Sequence, residues 1–273
     1  MYKIGMSSCA FALSEENFIG LNKAGIEAVE ISMHPDRLEK LNYKETEVLA
    51  ARYGVGLWSF HLPFLPYDFV DFSSLNEQLR KKTLERYTEY IKLASDIGVN
   101  KFIVHPSNEP IAPDKREERI LRSMQSLDEL AEIAHRHGAV IAVEDLPRTC
   151  LGNTAAEMKR LISANDKLRV CFDTNHLLID TNENFIKTLG DKIITLHVSD
   201  YDFIDERHLL PGEGKVDWCK LFRELKAVNY SGVWMYEVAF SSPAAKGRSR
   251  DLTFSDFATN AKSIFAGEAP TKI

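Results

Sequence analysis

The 273-residue sequence predicts an α/β fold, a (β/α)₈ TIM barrel built as a single domain over residues 1–273. Three observations carry that expectation. Eight short apolar runs alternate with helical patterns at spacings averaging roughly the thirty residues of a βα unit. Four of the later runs each end on a hard ligand type: VIAVEDLP at Glu144, RVCFDTNH at Asp173, ITLHVSD at His197 and GVWMYEV at Glu237. The competing doubly wound open sheet ordinarily shows a glycine-rich first turn, and the sequence contains no GxGxxG.

Taken in order, Lys3–Ser7 reads as a first strand, followed by a helix whose N-cap is Ser14. Ala28–Ser32 is the second strand and Tyr43–Tyr53 the second helix. Val55–Phe60 is the third strand, running into His61 and a loop with Pro63 and Pro66. From Asn76 to Gly98, Leu79, Tyr87, Ile91, Ala94 and Ile97 share one helical face, with Gly98 as the stop. Lys101–Val104 is the fourth strand and ends on His105; the next helix spans about Asp114 to His137. The fifth strand begins at Val140, and Thr154–Ser163 is the helix after it. Leu168–Phe172 is the sixth strand, Asn184–Leu189 a short helix and Lys192–Leu196 the seventh strand. Val216–Ala227 is helical, Val233–Tyr236 is the eighth strand and Ser255–Phe265 the closing helix. Gly267–Ile273 has no periodicity and reads as a frayed tail.

Composition narrows the class. Hydrophobic content of 44% and charged content of 27% describe an ordinary globular protein. A net charge of -6 without basic clusters argues against a nucleic-acid partner. No window approaches the roughly 18 apolar residues of a membrane span, and the N-terminal stretch is too polar for a signal peptide, so a cytoplasmic protein is expected. Cys9, Cys150, Cys171 and Cys219 are scattered without a CxxC pair, against both a thiolate zinc site and a disulfide framework.

The chemistry resides in the strand ends. Any one acid at such a position equally well caps a helix or meets a surface lysine. Joint placement is what matters: strand C-termini of a barrel share one face, so Glu144, Asp173, His197 and Glu237 would point into one mouth. Three acids there repel one another unless a cation lies between them. An oxygen-rich set with one imidazole suits Mn²⁺ first, and also Mg²⁺, Co²⁺ or Zn²⁺. His61, His105, His176, Glu206 and His208 gather near the same mouth as additional metal or substrate contacts, each alone equally readable as structural. Asp145, Asp200 and Glu30 are candidates to orient an imidazole, Glu30 standing evenly between site and core pairing.

The loop GEGKVDW (Gly212–Trp218) offers backbone N–H groups to an anionic or polyhydroxyl substrate, with a plain loop capped at Asp217 as the alternative. Lys215 within it and Arg207 before it are candidate substrate contacts. Arg248 and Arg250 read as either a phosphate clamp over the mouth or a solvated loop.

The ordered series VED, CFDTNH, LHVSD, GEGKVDW and YEV resembles the xylose isomerase-like superfamily, which includes sugar phosphate isomerases and epimerases and the endonuclease IV group (AP endonuclease family 2). The resemblance spans strands two to eight. In its ketose 3-epimerase branch it implies metal ligation by Glu144, Asp173, His197 and Glu237, with Glu144 and Glu237 as the acid/base pair. The endonuclease IV branch implies up to three zinc ions, held by His61, His105, Glu144, Asp173, His176, His197, Glu206, His208 and Glu237; Glu206 stands where that branch has aspartate.

The expected activity is therefore metal-dependent isomerisation or epimerisation of a small carbohydrate through a metal-stabilised enediolate. Abasic-site phosphodiester cleavage and a keto-sugar or keto-inositol dehydratase are the alternatives, and non-catalytic sugar binding stands last. A homo-oligomer is common in the family, and Tyr67, Phe69 and Phe72 would suit a partner or a lid.

Overall fold

The β-branched runs are buried on both faces and pair side by side in parallel, as strands covered by helices do. The computed structural model describes residues 2–245 and 247–273. Its strands are β1 (Ile4–Ser7), β2 (Ala28–Ile31), β3 (Gly56–His61), β4 (Lys101–Val104), β5 (Val140–Glu144), β6 (Arg169–Asp173), β7 (Ile193–His197) and β8 (Trp234–Tyr236). The helices are α1 (Glu15–Ala24), α2 (Pro35–Leu38), α3 (Tyr43–Tyr53), α4 (Glu77–Ser95), α5 (Arg116–Arg136), α6 (Ala155–Ile162), α7 (Asn182–Leu189), α8 (Trp218–Ala227) and α9 (Phe254–Phe265).

The ladder runs β7-β6-β5-β4-β3-β2-β1-β8, each neighbouring pair parallel. A parallel bridge between Val198 and Tyr236 joins the two ends, Val198 N donating to Met235 O at 2.8 Å. The expected (β/α)₈ barrel is therefore formed, with β7 and β8 linked by this bridge just past the end of β7.

Two kinds of core hold it. Between sheet and helices lies one large apolar cluster that includes Phe18, Phe102, Phe172, Phe185 and Trp234. Inside the barrel smaller residues fill the space: Ala28, Val233 and Met235 form one layer with Trp58 against it, and Ile103, Ala142 and Cys171 form another. Close approach makes a glycine necessary at position 5, where a Cβ would lie 2.6 Å from Val233 Cγ1. The barrel is thus a packed plug, and its chemistry is confined to the C-terminal rim.

Several boundaries differ from the sequence expectation for local reasons. Helix α8 starts at Trp218, because Asp217 accepts from Lys220 N at 2.9 Å and so caps it. The four residues of α2 are too few to show a periodic pattern. Phe72, expected near the surface, is 1% exposed and stacks on Tyr87. The tail is also tied down: Asn260 Nδ2 donates to Thr271 O at 3.0 Å, and Ser263 and Thr271 hydroxyls meet at 2.7 Å. Ile273 packs against the large apolar cluster as well, a lone contact that hydrophobic periodicity does not register.

Candidate metal centre and substrate cavity

The strand C-termini deliver the side chains. His61, Glu144, Asp173 and His197 are the last residues of β3, β5, β6 and β7, and Glu237 directly follows β8. Glu144, Asp173, His197 and Glu237 each place one ligand atom so that all four lie within 4.8 Å of one another. His197 Nδ1 is 2.8 Å from Glu144 Oε1, 3.3 Å from Glu237 Oε2 and 3.9 Å from Asp173 Oδ2. Its other nitrogen, Nε2, lies 3.0 Å from Glu30 Oε1, and Glu30 is completely buried with Ser59 Oγ donating to it at 2.7 Å. A register shift between Val29 and Glu30 sets Glu30 opposite Ser59. With Nε2–H donating to Glu30, Nδ1 is left facing the three acids, the orientation a metal-ligating imidazole needs.

Whether these residues fit a cation is decided by Asp173. Its Oδ1 accepts from Asn175 N at 2.7 Å, while Oδ2 is buried without any hydrogen-bond partner. An orphaned carboxylate oxygen beside two further carboxylates and an imidazole is a site built for positive charge. Burial pushes the Asp173 carboxyl up to about 6, against the pull of His176. Burial works the same way on Glu144 and Glu237, but His197 outweighs it, helped at Glu144 by His105, and holds both below the usual carboxylate range. The donor set fits a divalent cation of the Mn²⁺, Mg²⁺, Co²⁺ or Zn²⁺ type. Cys171 also lies near Glu144 and His197, yet burial keeps its thiol well above its ordinary value and therefore protonated.

Two further groups adjoin the first. Glu144 Oε2 lies 3.1 Å from both His61 Nε2 and His105 Nε2. On the other side, His176, Glu206 and His208 converge, His176 Nε2 standing 3.3 Å from Glu206 Oε2 and 3.6 Å from Asp173 Oδ2. Asp145 supports this side: its Oδ1 accepts from Asp173 N at 2.7 Å and its carbonyl meets His176 Nδ1 at 2.8 Å. Asn175 Oδ1 accepts from the backbone N–H of Arg207 and of His208, and so shapes the loop that carries Glu206. Nine residues named from the sequence are therefore brought to one mouth.

Others are not. Arg207 pairs with Asp202 at 2.9 Å, and Lys215 is exposed; both stand outside the cavity lining. Several N–H groups of the glycine loop are turned inward: Glu213 N donates to Leu210 O at 2.9 Å and Lys215 N to Tyr201 O at 2.8 Å. Asp200, buried, accepts from Gly212 N at 2.7 Å, Val216 N at 3.1 Å and Trp218 Nε1 at 2.9 Å. Asp200 thus organises the loop rather than an imidazole. Arg248 is bound to Glu213 and Arg250 to Asp256, so neither serves as a free clamp.

Above the acids opens a cavity of about 370 Å³, lined among others by His61, His105, Glu144, His176, Glu206, His208 and Glu237. Sequence reasoning missed several of its walls: Cys9, Phe64, Glu109 and Arg148. Arg148 had a signal, a basic residue directly after the strand-five exit at Pro147. Its backbone sits at φ 51, and its guanidinium reaches Glu109, Asp205 at 2.8 Å and Glu206 at 2.9 Å. Against burial, His176 and Arg148 hold the Glu206 carboxyl down to about 2.

Barrel and strand-end site together define a class. The chain belongs to the xylose isomerase-like TIM barrel family, whose pattern matches residues 20–255. It is similar to the crystal structure of a D-tagatose 3-epimerase-like protein, with TM-score 0.75 and 27% identity, covering 89% of this chain and 92% of that one. It is 28% identical over 180 residues to the 3-dehydro-D-guloside 4-epimerase of Escherichia coli, covering 62% of this chain and 66% of that protein. It is also 27% identical over 185 residues to the probable endonuclease 4 of Thermoplasma acidophilum, covering 61% of each. Among the described residues no helix is long and apolar enough to cross a membrane.

Proposed function

We propose that the protein is a divalent-metal-dependent isomerase or epimerase of a keto-sugar, working by proton abstraction next to the carbonyl. One observation carries this reading: Glu144 and Glu237 flank His197 Nδ1 at 2.8 and 3.3 Å on the cavity floor. Glu144, Asp173, His197 and Glu237 would hold the ion, Mn²⁺ in the first place. When bound, it supplies positive charge to the oxygen on which charge develops as the proton leaves. Glu237, whose side chain is 14% exposed against 1% for Glu144, takes the proton from carbon. Glu144, whose Oε2 lies 3.1 Å from both His61 Nε2 and His105 Nε2, delivers to the opposite face a proton taken up from solvent through those imidazoles, or Glu237 gives the proton it took to the adjacent carbon. The epimerase names and structure among its relatives support this reading. It is tested by proton NMR in D₂O: Mn²⁺-loaded protein exchanges the α-proton of a ketose, and metal-stripped protein does not. Equal exchange in both contradicts it.

A specific observation favours a second reading. Glu144 Oε2 meets His61 and His105, and His176, Glu206 and His208 form a group of their own, as three ions acting on a phosphodiester would require. The endonuclease 4 relative points the same way. The net charge of -6 opposes it, since phosphate contacts dominate affinity for DNA. Cleavage of an abasic-site duplex with three bound metal equivalents would establish it over the first.

A further inference from the structure

The cavity divides by chemistry. Its floor is made of carboxylates and imidazoles. The wall supplied by the loops after β3 and β5 presents Phe64, Tyr67, Leu146, Pro147 and Cys150. Phe64 is fixed there, stacked on His105 with ring centroids 4.2 Å apart. Tyr67 is held through its backbone, whose carbonyl accepts from Asn108 Nδ2 at 3.4 Å.

Cation placement is equally informative. Arg148 is the one lysine or arginine that lines the cavity among the described residues. It is already neutralised: Nε lies 3.1 Å from both Glu109 oxygens, and Nη1 meets Asp205 at 2.8 Å and Glu206 at 2.9 Å. Three carboxylates on one guanidinium leave that corner net negative. A phosphate arriving there would meet like charge, with Glu109 and Glu206 on the lining beside it. A bare sugar fares poorly for another reason, because its hydroxyls would lose water against an apolar wall without gaining partners.

We propose, resting on the proton-abstraction reading above, that the substrate is an uncharged keto-sugar carrying an apolar substituent at the end remote from its carbonyl. The hydroxy-carbonyl end lies on the carboxylate floor, and the substituent lies against Phe64, Tyr67, Leu146, Pro147 and Cys150. Arg148 and its acids act as a filter against phosphorylated sugars.

The test is calorimetric titration of the Mn²⁺-loaded protein with three probes that differ only at O6: D-fructose, its 6-phosphate and its 6-O-benzyl ether. The benzyl ether is expected to bind roughly tenfold more tightly than either of the others. Tyr67→Ala, at a residue 41% exposed and so tolerant of replacement, removes that preference. Glu109→Gln, which releases part of the guanidinium, tightens the 6-phosphate. The proposal is overturned if the 6-phosphate binds as tightly as the benzyl ether, if benzyl ether and fructose bind alike, or if the benzyl ether does not bind. α-Proton exchange on the same probes reports separately on the reaction. Selective benzyl binding without exchange keeps the cavity assignment and removes the proton-abstraction reading, and exchange without selectivity does the reverse.

Discussion

Glu30 and His197 are 167 residues apart in the chain, yet Glu30 Oε1 lies 3.0 Å from His197 Nε2, and both side chains are fully buried. This contact sets which imidazole nitrogen faces the acids. Glu30→Gln keeps the shape but weakens the acceptor and permits the ring to turn. The expected outcome is a 10- to 100-fold loss of Mn²⁺ affinity, the usual scale for such outer partners, measured by Mn²⁺ titration. Unchanged affinity would mean that Glu30 serves only the core.

Glu144 and Glu237 are predicted to be separable in effect. Glu237→Gln removes the proton acceptor while the fold persists, so α-proton exchange falls by a factor of 10² or more, within the range for a positioned general base. Glu144→Gln loses exchange as well and also loosens His61 and His105, which both lean on Oε2. Thermal unfolding beside the exchange assay distinguishes the two. Exchange at the wild-type rate in Glu237→Gln would remove that residue from the mechanism.

The convergence of the strand-end side chains was legible in the sequence because one rule places them: all strands of a barrel point their C-termini the same way, so residues that end apolar runs meet. Glu30 was one of three candidates to orient an imidazole, but its pairing with His197 was not legible, since the two share no local pattern. The glycine loop misleads for a related reason. Glycines announce backbone that approaches something closely, but here that something is Asp200, whose Oδ1 would collide with any Cβ at position 214. Phe72 lies in a loop, where periodicity says nothing about burial. The fork of Arg148 joins loops after β4, β5 and β7, a relation only the closed barrel creates.

Asp200 should therefore be a stability residue. It accepts from four donors, Tyr201 N, Gly212 N, Val216 N and Trp218 Nε1. Asp200→Ala orphans them together and is expected to cost about 3–5 kcal/mol, read as a lowered midpoint in urea unfolding. Gly214→Ala destabilises through the same contact. A change below roughly 0.5 kcal/mol in both would contradict this assignment.

At the start of α9, Asp256 accepts from Thr253 N at 2.7 Å and pairs with Arg250, which hold its carboxyl down to about 2. A depressed folded value means that the stabilisation is complete above the unfolded carboxylate range and fades as pH falls through about 2. Asp256→Asn is expected to cost about 1 kcal/mol at pH 7, the scale of a lost helix cap. The gap between variant and wild type should close between pH 4 and pH 2, as followed by urea unfolding across that range. A gap independent of pH would assign the effect to packing.

Metal content after dialysis against Mn²⁺ tests most directly whether Glu144, Asp173, His197 and Glu237 share one divalent ion. The wild-type protein is predicted to retain one tight equivalent, and Asp173→Asn, which keeps the shape but loses the orphaned Oδ2, is predicted to retain none while remaining folded. Undiminished binding in Asp173→Asn, or no tight binding by the wild type, would contradict it.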